Sequence, residues 1–181
     1  MANASYEVLY QNLIDVILES QIKIGYTENS VGLYYPQETL CAMLGVEADI
    51  SEMEALLAGL PREPLGTIGV SRKGSRWCLT VPAEGVRYVH EHVQDTGFLT
   101  DFIELLRSHA HGLGIEEILT VFRRYSDCVI CREVQDDEFD YLVYFGDGKP
   151  DRYRYLISME MGHASYHRFT PEDYAALGFA E

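Results

Sequence analysis

The hydrophobic period of this chain switches from helical to strand-like twice, and that double switch constrains its fold more than any other feature. Val8, Leu9, Leu13, Ile14, Ile17, Leu18 and Ile22 recur at steps of three and four, which predicts one face of an amphipathic helix over roughly residues 5–23. A polar connection follows. Pro36 then fits the first turn of a second helix, 36–44, that ends at Gly45. Ser51 and Glu54 have capping-box spacing before Ala55-Leu56-Leu57, so a third short helix is expected, stopped by Gly59 and Pro61. Residues 65–71 and 76–82 then read as two strands joined by the turn Arg72-Lys73-Gly74-Ser75, with Gly74 supplying a positive φ. A further helix carries Val86, Val89 and Val93.

The second half repeats the switch. Phe98, Leu99, Phe102, Ile103, Leu105 and Leu106 predict a helix to about Ser108, and Ile115, Ile118, Leu119 and Phe122 predict another ending at Arg123-Arg124. Three strands are expected at 128–134, 139–145 and 152–159, with a short fourth at 164–169 and a last helix capped by Thr170. Phe139, Tyr141, Val143 and Phe145 share one face of their strand, and Tyr153, Tyr155, Ile157 and Met159 one face of the next. Pairing those faces predicts an aromatic layer under the helices. The opposite face, with Arg152, Arg154, Leu156 and Ser158, is expected to meet water or a partner. The fold class is therefore α+β, with residues 1–95 as one domain and 96–181 as a second that ends in a Tyr-rich antiparallel sheet.

Three helices, a hairpin and a closing helix over about residues 5–93 resemble a winged helix, through element order rather than a residue motif. That resemblance implies a third helix able to enter a DNA groove and a hairpin acting as the wing. The third helix here carries Glu52 and Glu54 and no base, and the second carries Glu38 and no base. Only the hairpin is cationic, through Arg72, Lys73 and Arg76, and three cations at a turn also serve simply to blunt a sheet edge. The whole chain has 14 Lys+Arg against 29 Asp+Glu, a net charge of −15 shared almost evenly by its two halves, which disfavours a surface that must release counterions from a phosphate backbone.

No motif specifies a reaction. Cys128-Val-Ile-Cys131 lacks the second pair that a zinc ribbon needs, and in a strand its thiols point to opposite faces. Of three histidine pairs, His90/His92 diverge on a helix and His109/His111 sit at a helix C-terminus. His163, Ser165 and His167 would share one side of a strand, as candidate metal ligands or as a serine beside a base. The acidic stretches 136–140 and 147–151 lack the spacing of a calcium loop and read as hairpin turns. No phosphate-cradling Gly-rich loop and no nucleophile elbow occurs. No catalytic residue, cofactor or metal is assigned.

No apolar run is long enough to span a bilayer, the first residues lack a secretory pattern, and four cysteines fit reduced thiols, so a cytoplasmic protein is expected. The stretches 111–122, 140–145 and 166–170 resemble an uncharacterised bacterial family found in gut Firmicutes, which implies no activity and transfers no functional residue. The expected role is non-enzymatic: a protein-interaction module that binds a protein partner or itself. The alternatives are a DNA-binding regulator that uses the basic hairpin, or an acidic tandem winged-helix subunit of the kind that binds the kleisin of chromosome-organising complexes. A metal-dependent activity at His163 and His167 is a third reading.

Overall fold

A computed structural model describes residues 5–108 and 112–178, so His109 and His111 lie outside the described residues. The described residues divide into two compact units, one built from residues 5–94 with 175–178, the other from residues 95–108 with 112–174. Both are mixtures of helices with an antiparallel sheet, as the changes of period predict.

In the first unit the order is α1 (Glu7–Ile24), β1 (Val31–Pro36), α2 (Gln37–Leu44), α3 (Ile50–Ala58), β2 (Gly69–Lys73), β3 (Arg76–Val81) and α4 (Ala83–His92). The connection after the first helix is thus a strand, and Pro36 closes that strand instead of opening α2. β1 pairs antiparallel with β3, giving the sheet order β1-β3-β2 and making β3 central. The inner face of β3 presents Trp77, Leu79 and Val81, all buried. Against it pack Leu9, Leu13 and Ile17 of α1, Leu40 and Met43 of α2, Met53 and Leu57 of α3, and Val86 and Val89 of α4. Buried Asn12 would be costly in this core without a partner, and it accepts a hydrogen bond from the Tyr35 hydroxyl at 2.8 Å. Residues 65–68 form turn and coil instead of strand. The hairpin turn has only two residues, since Lys73 already pairs with Arg76, and Gly74 takes φ +63° as that turn requires.

In the second unit α5 (Phe98–Ser108) and α6 (Ile115–Arg123) precede β4 (Val129–Glu133), β5 (Tyr141–Phe145), β6 (Arg154–Glu160) and β7 (His163–Phe169), in sheet order β4-β5-β6-β7, and α7 (Pro171–Ala176) follows, with its last two residues in the first unit. The predicted aromatic layer is present. Tyr141 pairs with Ile157 and Val143 with Tyr155, so these residues share a face. Phe98 of α5 meets Phe122 of α6, Phe145 and Tyr155 edge-on at centroid distances of 4.7, 4.8 and 5.8 Å. Such edge-to-face packing aligns the ring quadrupoles favourably. Phe139 departs from the layer: it precedes β5, and its ring meets His167 on the opposite face. That opposite face is not simply wet, because Leu142, Tyr144 and Leu156 are buried and the Arg154 guanidinium lies 3.9 Å from the Tyr144 ring centre. The fourth strand is a full seven residues. It is turned tightly by Met161 and Gly162, both at positive φ. Thr170 caps α7 as expected, accepting from the Asp173 amide at 3.1 Å.

Two outcomes follow from this packing. A methyl group at Gly85 in α4 would collide with the Leu65 carbonyl oxygen. Gly85→Ala should therefore destabilise the protein by about 1–2 kcal/mol in denaturant titrations, although helix propensity alone favours Ala by about 1 kcal/mol. Tyr155, fully buried, donates its hydroxyl proton to Asp151 at 2.5 Å. Burial, reinforced by the Asp151 charge, holds its ionisation well above the ordinary phenol range. A raised folded value means that this stabilisation is complete below about pH 10 and is lost as pH rises further. Tyr155→Phe should cost roughly 1 kcal/mol at pH 7 and should flatten the alkaline limb of the stability profile. An unchanged alkaline limb would show that Tyr155 does not set it.

Candidate functional site

The surface formed by α3 and the β2–β3 hairpin gathers the charges that matter in the first unit. α3 begins at Ile50 because Asp49 caps it: the Asp49 carboxylate accepts from the Glu52 amide at 2.9 Å, and the Glu52 carboxylate accepts from the Asp49 amide at 2.9 Å. The capping box therefore lies two residues before the Ser51/Glu54 pair expected from spacing, which leaves Glu54 free of that duty. Met53 and Leu57 face the core, while Ser51, Glu52, Glu54, Ala55 and Ala58 are exposed, so the exposed surface of α3 is anionic and without a base. Tyr6 anchors the last turn by donating to the Leu56 carbonyl at 2.8 Å.

The hairpin cations are exposed but do not form one patch. Arg72 pairs with Trp77 and shares the inner side of the sheet, next to α3. Lys73 and Arg76 oppose each other on the outer side, a like-charge pair at the tip. Between α3 and the hairpin lies a cavity of about 440 Å³, lined by Ile50, Glu54, Ala58, Val70, Arg72 and Trp77 among others. Spacing did not reveal it, because the expected turn 72–75 held Arg72 out of the strand that pairs it with Trp77.

In the second unit His163, Ser165 and His167 are exposed and share one face of β7. The His167 ring lies between Phe139 and Phe169, at centroid distances of 5.5 and 6.2 Å. Among the described residues no three His, Cys, Asp or Glu side chains come together as a metal site. His90 stacks on Tyr26 at 4.2 Å and His92 on Tyr88 at 4.6 Å, so that pair diverges. Cys128 is exposed, Cys131 is half-buried, and all four cysteines are unpaired. Burial raises the Cys131 thiol above its ordinary range, which lowers its fraction of reactive thiolate. The acidic turns hold themselves together: Asp136 accepts from the amides of Glu138 and Phe139, and Asp147 from that of Lys149. No helix among the described residues is long and apolar enough to cross a membrane.

An α+β chain of two units, with an acidic helix face beside a split-cation hairpin, is the class that fold and surface define. Residues 6–178 match the family described as a domain of unknown function, E. rectale gene description (DUF3877), and the chain belongs to that family. The match covers both units and agrees with the uncharacterised gut Firmicutes family that the sequence resembles. No curated protein and no solved structure matches the chain.

The Asp49 cap fixes where α3 starts and hence which carboxylates face outward. Asp49→Ala should cost about 1 kcal/mol in denaturant titrations and should expose the first-turn amides of α3 to faster hydrogen exchange. Unchanged exchange at Ser51 and Glu52 would show that the cap does not hold the helix start.

Proposed function

We propose that the first unit is a winged-helix-like module, and that the protein is non-enzymatic and cytoplasmic, acting by contact with a protein partner or a second copy of itself. The order α1-β1-α2-α3-β2-β3-α4 with sheet order β1-β3-β2 supports the winged-helix reading. The observation that carries the rest is the exposed surface of α3, which offers Glu52 and Glu54 on its two flanks and no base, where a DNA reader offers Arg or Lys. Phosphates near two carboxylates on a chain of charge −15 meet repulsion, whereas a basic protein surface meets attraction. The free thiols fit a reducing compartment.

A second reading rests on Lys73 and Arg76, which are exposed at the hairpin tip, where a dimer could reach DNA. The kleisin-type reading has less support, because the second unit runs α5-α6-β4-β5-β6-β7-α7 and does not repeat the first. Gel-shift titrations with genomic fragments at two salt concentrations separate the readings. The expected result is no sequence-specific complex and no difference between the wild-type protein and an Arg72→Glu, Lys73→Glu, Arg76→Glu triple variant. A specific complex abolished in the triple variant would favour the DNA regulator.

A further inference from the structure

We propose that the cavity between α3 and the β2–β3 hairpin binds a small zwitterion, specifically an α-amino acid with an apolar side chain. At about 440 Å³ it lies in the size range of small-molecule sites. Its chemistry is mixed in a particular way. Ile50, Ala58 and Val70 line it with aliphatic surface, α3 contributes the Glu54 carboxylate, and β2 contributes the Arg72 guanidinium. No ion pair joins Glu54 to Arg72 among the described residues. A ligand with only one charge would find one attractive and one repulsive wall group. A ligand carrying an ammonium and a carboxylate satisfies both, and its apolar side chain matches the remaining lining.

A second observation comes from Trp77, which lines the same cavity. Its indole N–H is buried and has no hydrogen-bond acceptor among the described residues. Buried donors are nearly always paired, and an unpaired one is costly. A ligand carboxylate bound by Arg72 brings an acceptor to the wall that Trp77 shares, because Arg72 and Trp77 are direct cross-strand partners. The N–H is closed to bulk water, so contact requires the cavity rim to give way. Trp77 is the only tryptophan in the chain, and its emission therefore reports that event without labelling.

The inference goes beyond protein contact as the role of α3, and it is tested with no partner present. The full chain is titrated with L-leucine, L-methionine and L-phenylalanine while Trp77 fluorescence is followed. For L-leucine the comparison compounds are isopentylamine, which lacks the carboxylate, and 4-methylpentanoate, which lacks the ammonium group. The expected result is a saturable emission change with at least one amino acid and none with either comparison compound. Glu54→Gln and Arg72→Gln should each weaken binding roughly tenfold or more, and Lys73→Gln on the outer side should not change it. All three side chains are exposed, and far-UV circular dichroism checks that each variant folds. If a variant does not fold, the two comparison compounds still decide the question. No saturable change up to about 10 mM ligand would overturn the proposal. So would equal responses to the single-charge compounds, or binding indifferent to both Glu54 and Arg72.

Discussion

Burial of the inner face of β3 is the interaction on which the first unit depends. Trp77, Leu79 and Val81 stand on one side of a strand hydrogen-bonded along both edges, and four helices lay apolar residues against that side. Fully burying side chains of this size contributes about 1.5–3 kcal/mol each, so the strand acts as a template on which α1 to α4 find their places. The positions of α3 and the hairpin, and hence the charged surface and its cavity, are consequences of that arrangement. The second unit uses the same logic with rings. Phe98, Phe102, Phe122, Phe145 and Tyr155 form a ring cluster between two helices and a sheet, edge-on in most pairs and stacked between Phe98 and Phe102 and between Phe122 and Phe145.

Charge placement then separates what the surface can attract. Glu52 and Glu54 face outward on α3, Lys73 and Arg76 sit on the outer side of the hairpin, and Arg72 sits on the inner side beside the helix. Three cations close in sequence make one patch only if they share a face, and a two-residue step along a strand is what keeps residues together. Arg72 and Lys73 are one step apart and so part company. The hairpin is therefore a weaker phosphate contact than its composition implies, and Arg72 is available to a cavity that also holds a carboxylate.

The legible parts of this structure were those governed by local period. Leu9, Leu13 and Ile17 at four-residue steps announced the buried stripe of α1, and Val143 with Tyr155 announced the inner face of the second sheet. β1 was not legible. Val31-Gly-Leu-Tyr-Tyr-Pro36 contains a glycine and ends in proline, both poor strand formers, and it becomes a strand because β3 offers it an edge. The capping box was misplaced because Asp49/Glu52 and Ser51/Glu54 have the same spacing, and only the helix register chooses between them. Phe139 obeyed the alternation on paper, yet it lies before β5 begins and turns its ring to His167.

The sequence by itself determined the mixture of helices and antiparallel strands in each half, the inner faces of the helices and of the strands β5 and β6, the acidity of α3, and the absence of any local catalytic motif. These follow from side-chain chemistry read at a fixed step, and the backbone geometry supplies that step wherever the element forms. Only the tertiary structure decided that β3 is central, that Leu142 and Leu156 are buried on the face expected to meet water or a partner, and that Glu54, Arg72 and Trp77 line one cavity. Each of those depends on pairing between segments far apart in the chain, where the closure entropy is offset by burial that no local window contains.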